Sequence, residues 1–430
     1  MTATRNAIIL CKVIDNFGDI GVCLRLALGL MDRGCAVTLV TDRPDLAERM
    51  ASAAAVNLVS WDTVTANPHS VSLSEDMLVI EAFQVTPPSS FLQACPPKLH
   101  RVCLDYLATE AWAEGLQGMP APDPAFPAHS RIWLAPSFCT SGPGLIRGRW
   151  EEIDTETRTA MRQRLVVYGA DWVPLGDQGA TGNSDPNSGA GVPAADRFDA
   201  SRAFLVFAFG YDDAPWHTLA EVMQQEGLPE GFDRICFVKP LGLDFSLREF
   251  DAVLQSCDLN FVRGEDSFVR AHYAAAGRWQ VPFVWQPYRQ TAGAHLDKLA
   301  AWQRRLIHAE ELRWASTPQV FSLPASSVDF PGDVWQCWLS LEAFFNPVPG
   351  ALAPAVATTF SAAPWPLARP VCPASQEHSE LPTPLLRSWQ QLQQKWDLFR
   401  TSFSGACQRL IPGQSLETRL LQIFSSRGDF

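Results

Sequence analysis

Asp15 and Asp19 stand four residues apart in the run Asp15-Asn16-Phe17-Gly18-Asp19, directly after the short apolar stretch Ala7–Val13. Two carboxylates at the carboxyl end of a strand can divide a reaction. One takes a proton while the other orients the acceptor or holds its charge. Ligands of open α/β sheets gather at that edge. The same residues also serve a plain turn, with Asp15 as turn former and Asp19 as N-cap of a helix from Ile20. Phe17 and Gly18, between the two acids, are counted with the substrate contacts.

A second constellation lies in Asn260–Ala271, NFVRGEDSFVRA. The apolar run Leu259, Phe261, Val262 stops at Arg263-Gly264. Glu265-Asp266-Ser267 then opens a segment with apolar residues at helical spacing. This reads as strand, turn and helix with N-cap residue types at the helix start. A helix N-terminus presents unpaired N–H groups to an anion, and Arg263 can neutralise a diphosphate. The two acids fit such a site if they face hydroxyl groups, as in a nucleotide-sugar pocket. An ordinary capped helix after a buried strand has the same pattern.

Two further segments are candidates. Phe209-Gly210-Tyr211 ends an apolar run, and its rings can flank a pyrimidine or simply pack. Trp285–Gln290 places Gln286 and Tyr288 where another apolar run ends, as phosphate or sugar contacts or as a packed turn. His272, His295 and His308 lack the H-x-x-x-H spacing of a metal site. No metal or cofactor is expected.

These residues need elements to hold them. Short apolar runs at Ala7–Val13, Cys35–Val40, Met77–Phe83, Arg101–Leu104 and Ile132–Leu134 alternate with helical spacing, as over Gly21–Asp32. Glu151–Gly169 reads as a helix. The alternation resumes with strands at Phe204–Phe209, Ile235–Val238, Leu259–Val262 and Phe283–Trp285, and helices at Leu247–Ser256, Ser267–Gly277 and Ala294–Arg304. Such alternation implies parallel sheets covered on both faces. Leu385–Leu410 and Leu416–Phe424 are C-terminal helix candidates, and Asn346–Pro384 reads as surface loop. Asp177–Ala195, rich in Gly, Ala, Asn, Asp and Pro, reads as a flexible insertion. The expected division is residues 1–172, completed by helices in about 385–430; a linker over 173–200; and a second domain over 201–384.

Composition narrows the function. At 430 residues the chain is long enough for two domains. A net charge of −12 argues against a nucleic-acid footprint. No apolar run reaches membrane-spanning length. Eleven cysteines without a C-x-x-C pair, and no signal peptide, point to a reducing cytoplasm. Cys11, Cys23, Cys35, Cys103, Cys236 and Cys257 read as small buried hydrophobes. A dinucleotide site needs G-x-G-x-x-G after a strand; the Asp15–Gly21 turn has other glycine spacing and carries acids.

Together these segments resemble the EarP family, protein-arginine rhamnosyltransferases that modify bacterial elongation factor P. The likeness is carried by Cys11–Leu26 (CKVIDNFGDIGVCLRL) and Cys257–Ala271 (CDLNFVRGEDSFVRA). Ile80–Phe83, Leu104–Trp112, Phe209–Tyr211 and Pro282–Gln290, followed by His295-Leu296 and Lys298-Leu299, support it. The resemblance implies a GT-B fold: two Rossmann-like domains face a central cleft, and a C-terminal helix returns to the first. It implies inverting transfer of L-rhamnose from dTDP-β-L-rhamnose to an arginine of elongation factor P, for relief of polyproline stalling. It assigns Asp15 and Asp19 as essential acids, with Asp19 the general base, and Glu265 beside the diphosphate. Arg263, Asp266 and Ser267 become diphosphate contacts, and Phe209 and Tyr211 nucleotide contacts. The rival readings are a GT-B transferase with another donor or acceptor, or a nucleotide-binding protein without catalysis. Rhamnose over glucose, and thymine over uracil, are not readable from these residues.

Overall fold

The computed structural model describes residues 5–14, 16–51, 56–139, 142–168, 171–173, 199–239, 245–290, 293–315, 332–347 and 381–425. Asp15 and the Asp177–Ala195 insertion lie outside the described residues.

The first sheet is built from β1 (Arg5–Cys11), β2 (Cys35–Thr41), β3 (Asn57–Ser60), β4 (Met77–Ala82), β5 (His100–Leu104) and β6 (Ser130–Leu134). All are parallel, in the order β3-β2-β1-β4-β5-β6. Every residue of β4 is buried, as is β1 from Ala7 onward. Parallel strands covered on both faces need such continuous apolar runs, and this made them legible. The strand order reverses between β1 and β4. A doubly wound sheet opens its ligand crevice outside the carboxyl ends of that pair. There β1 leads into helix α1 (Asn16–Met31), and β4 leads into Phe83-Gln84.

The second sheet holds β7 (Asp171–Val173), β8 (Ala203–Ala208), β9 (Arg234–Val238), β10 (Leu259–Arg263) and β11 (Phe283–Gln286). Its order is β11-β10-β8-β9-β7, parallel except where β7 pairs antiparallel with β9. Here the order reverses between β8 and β10. The crevice therefore opens where β8 runs into Phe209-Gly210-Tyr211 and β10 runs into helix α8 (Asp266–Ala276). The two sheets confirm the expected α/β class.

The helices depart from the expected division. Between β2 and β5 lie α2 (Pro44–Ala51), α3 (Trp61–Ala66) and α4 (Ser89–Ala94). Helix α5 (Thr155–Tyr168) belongs to the second core, through Met161, Leu165 and Val166. That core also takes α6 (Trp216–Glu226), α7 (Leu247–Ser256), α9 (Ala294–Ala315) and α10 (Gly332–Phe345). Its centre is aromatic: Trp285, Trp302, Trp335, Trp338 and Trp389 are fully buried. The stretch expected as one helix over Leu385–Leu410 is two, α11 (Thr383–Gln394) and α12 (Trp396–Leu410), broken at Lys395. Both pack on the second core through Leu385, Trp389, Phe399 and Phe403. Of the C-terminal helices, α13 (Leu416–Ser425) reaches the first core, through Leu416 and Leu420.

The segment before α13 lies against the stretch after β6. The Leu416 amide donates to the Leu145 carbonyl at 2.9 Å. Gly144 sits at φ 86°, and a Cβ there would stand 2.0 Å from the Gln414 carbonyl oxygen. A side chain at 144 would be strained and would push the returning chain away.

The two domains are also joined by buried charge. Arg25 on α1 bonds both oxygens of Asp251 on α7, at 2.8 and 3.0 Å. Its Nε lies 2.8 Å from a carboxylate oxygen of Asp266 on α8. Burial alone would lower the Arg25 pKa, but the two carboxylates hold it above its ordinary value. Arg270, also on α8, caps the Ile146 and Arg147 carbonyls of the first domain.

Candidate active site

Asp19 lies in the first turn of α1 and is 2% exposed. It does not cap a helix starting at Ile20, because α1 begins at Asn16. Its Oδ2 instead accepts the Ile14 amide at 2.7 Å, closing the turn that leaves β1. A negative charge in the first turn also suits the helix dipole. The Tyr106 hydroxyl approaches the other oxygen at 3.4 Å. Phe17 is half exposed, and Gly18 next to it is partly buried.

On the second domain Glu265 precedes α8, and neither it nor another side chain caps the helix start. The cap expected from Glu265-Asp266-Ser267 is therefore not made, and among the described residues the first amides of α8 have no side-chain acceptor. The Glu265 carboxylate points across the cleft. One oxygen pairs with Lys298 on α9 and the other accepts the Leu107 amide at 2.6 Å. Burial raises the Glu265 pKa, with Lys298 and the Leu107 amide opposing.

Arg263, at the end of β10, projects between Phe209 and Tyr211, 5.3 and 5.5 Å from the ring centroids. Among the described residues it has no carboxylate partner. Tyr211 is fixed by two bonds of its hydroxyl, donated to Pro287 O and accepted from the Arg289 amide. A cation held between rings at the β8–β10 reversal, beside an uncapped helix start, can bind a nucleoside diphosphate.

Three expected contacts are occupied elsewhere. Asp266 is tied to Arg25. Ser267 donates to the Arg263 carbonyl within its own turn. Gln286 is buried, donating to Phe345 O at 2.7 Å and accepting the Tyr211 amide. Gln286 packs so close to Gly210 that a Cβ there would lie 2.2 Å from its Oε1. Gln286 thus shapes the Tyr211 turn from behind. Tyr288 is about half exposed at the same end of the sheet.

Two of the three histidines serve packing and turn geometry. His272 is buried among Phe138, Phe268 and Phe283, and burial lowers its pKa to about 3. The His295 Nδ1 accepts the Gln290 amide. No group of three His, Cys, Asp or Glu suited to a metal occurs among the described residues. Cys11, Cys23, Cys35, Cys103, Cys236 and Cys257 are buried free thiols, as expected from their apolar surroundings. No helix among the described residues is long and apolar enough to cross a membrane.

Tyr106, Leu107 and Lys298 complete the cleft, and no role was assigned to them from sequence. Their only signal was position, in the Leu104–Trp112 and Lys298-Leu299 segments. The loop Asp105–Thr109 lies between the domains. Its Thr109 hydroxyl donates to Lys298 O, and Arg305 Nε donates to Thr109 O.

A family model described as Elongation-Factor P (EF-P) rhamnosyltransferase EarP matches residues 8–230 and 241–348. A protein-arginine rhamnosyltransferase of Pseudomonas putida is 32% identical over 320 residues, covering 68% of this chain and 79% of the relative. One from Neisseria meningitidis is 30% identical over 339 residues, covering 68% and 77%. A solved structure described as the structural basis for EarP-mediated arginine glycosylation of translation elongation factor EF-P is 19% identical. It covers 98% of this chain and 99% of its own, with a TM-score of 0.47.

Proposed function

The chain belongs to the EarP family of EF-P rhamnosyltransferases, and from that premise we propose that it moves L-rhamnose from dTDP-β-L-rhamnose to an arginine of elongation factor P. The observation that carries this reading is the facing of two acids across one cleft: Asp19 at the β1–β4 reversal, and Glu265 at the β8–β10 reversal. Tyr106 and Leu107 stand between them. A protein that only bound nucleotide would not need a buried carboxylate opposite its phosphate site.

The donor diphosphate lies at the start of α8, where free amides and Arg263 receive its charge. The nucleotide base lies beside Phe209 and Tyr211. The acceptor guanidinium enters from the first domain toward Asp19. A guanidinium pKa above about 12 makes it a poor nucleophile until a proton leaves. Asp19 localises the cation, and as the N–C bond forms it accepts one N–H proton. The sugar C–O bond breaks on the opposite face, inverting the anomeric centre, and dTDP departs toward Arg263 and α8. Lys298 neutralises Glu265 before the donor binds and adds positive charge close to the leaving group. No metal is needed in this scheme. Asp15 is proposed to share the orientation of the guanidinium.

Incubation with elongation factor P and dTDP-rhamnose, followed by intact-mass analysis, tests the reading. One added deoxyhexose on the factor is expected. Transfer from another nucleotide sugar, or to another protein only, would replace the donor or acceptor named here. Arg263→Ala should weaken dTDP binding by about 1.5–3 kcal/mol, the scale of a charge-assisted hydrogen bond. Calorimetry with dTDP checks this, and an unchanged dissociation constant would make Arg263 structural.

A further inference from the structure

We infer that Tyr106 is a positioning residue that aligns the first domain's base with the second domain's glutamate; the inference rests on the reading of Asp19 as that base. The hydroxyl of Tyr106 meets Asp19 Oδ1 at 3.4 Å, and the next amide, Leu107, meets Glu265 Oε2 at 2.6 Å. Adjacent residues of one loop therefore touch both acids. Catalytic hydrogen bonds are often long in an unloaded site and shorten when substrate arrives.

The loop is braced for this task. Asp105 accepts its own neighbour's amide at Tyr106, the Trp133 indole at 3.0 Å and the Gln84 amide at 3.0 Å. The Tyr106 ring stacks on Phe83, with centroids 4.4 Å apart and planes 18° apart. Phe83 and Gln84 both hold positive φ, 56° and 58°. Non-glycine residues pay for that conformation, and two in succession are kept only where the surroundings impose them. Here they place the Phe83 ring under Tyr106 and the Gln84 amide on Asp105. Partial burial and the facing carboxylates of Asp19 and Glu265 raise the Tyr106 pKa, so its hydroxyl keeps the proton it donates.

Tyr106→Phe separates positioning from packing, since Phe keeps the ring stack and loses only the hydroxyl. Turnover at saturating donor and acceptor should fall about 10-fold or more through poorer orientation of the base. The dTDP-rhamnose dissociation constant should stay within about twofold, because the hydroxyl removed bonds Asp19 and none of the groups assigned to the diphosphate. The carboxyl-carbon NMR resonance of Asp19 should move in the variant. A residue that only packs would leave both turnover and resonance at wild-type values, and either result overturns the inference. If the wild-type chain transferred no rhamnose at all, the proposed reaction would fall, and the Asp19 resonance would still decide the Tyr106 contact.

Discussion

Asp19→Asn should reduce arginine transfer by roughly 10²-fold or more at saturating substrates, the usual scale for loss of a general base. Asn fits the observed geometry. Its oxygen can keep the Ile14 amide, and its NH₂ can face the Tyr106 hydroxyl, which can turn to accept. Stability should therefore change little, and donor binding should survive because Arg263 and the α8 start are on the other domain. Single-turnover transfer to elongation factor P, with calorimetry of dTDP-rhamnose, measures both parts. Near-wild-type transfer in Asp19→Asn would remove Asp19 as the base and leave Asp15 or Glu265 to be tested. Loss of donor binding instead would mean that the acids of the first domain help to hold the nucleotide sugar.

Arg25→Met should destabilise the protein by about 3–5 kcal/mol, the cost of stripping one partner from a buried ion cluster. Asp251 would keep only Arg270, at 4.0 Å, and Asp266 would lose its cation. Chemical denaturation should show this as a lowered midpoint. The triple change Arg25→Met, Asp251→Leu and Asp266→Leu should recover much of the loss, since apolar groups of similar volume leave no stranded charge. If Arg25→Met unfolded like wild type, the cluster would be wetter than its burial indicates. The variant should also transfer poorly, because Asp266 anchors the first turn of α8 next to Glu265.

How much of this was readable in the chain depends on the range of each interaction. The turns after β1 and β10 were legible because a buried parallel strand, a glycine-bearing turn and a helical period follow one another within some twenty residues. Most strands of both sheets were visible for the same reason; the partly buried β3 and the three-residue β7 lack such a run and were not. Asp266 shows where local reading stopped. Beside Arg263 and Ser267 its carboxylate looks like a ligand contact, but its partner Arg25 lies 241 positions earlier in the chain. Gln286 is a similar case, since its amide donates to Phe345 O, 59 positions away. Helix α10 escaped because Val334, Trp335, Cys337, Trp338 and Leu341 bury several of its sides, which blurs the one-sided period of a surface helix. Tyr106 and Lys298 carry no local signature, and only folding brings them to the two acids.

The chain passes between the domains twice in the described residues, once after β6 and once between α12 and α13. The Leu416 amide on the Leu145 carbonyl and the close fit of Gly144 against Gln414 hold these two passages side by side. Two adjacent tethers on one edge act like the paired pins of a door. They forbid the halves to drift apart and favour a swing about the line through the pins. A swing about that line would part Asp19 from Glu265 only if the contacts of Leu107, Thr109 and Lys298, and the Arg25 ties to Asp251 and Asp266, were released. Lengthening the stretch before α13 with glycines would loosen one pin, and the cost would appear as lost alignment at acids whose own surroundings were untouched.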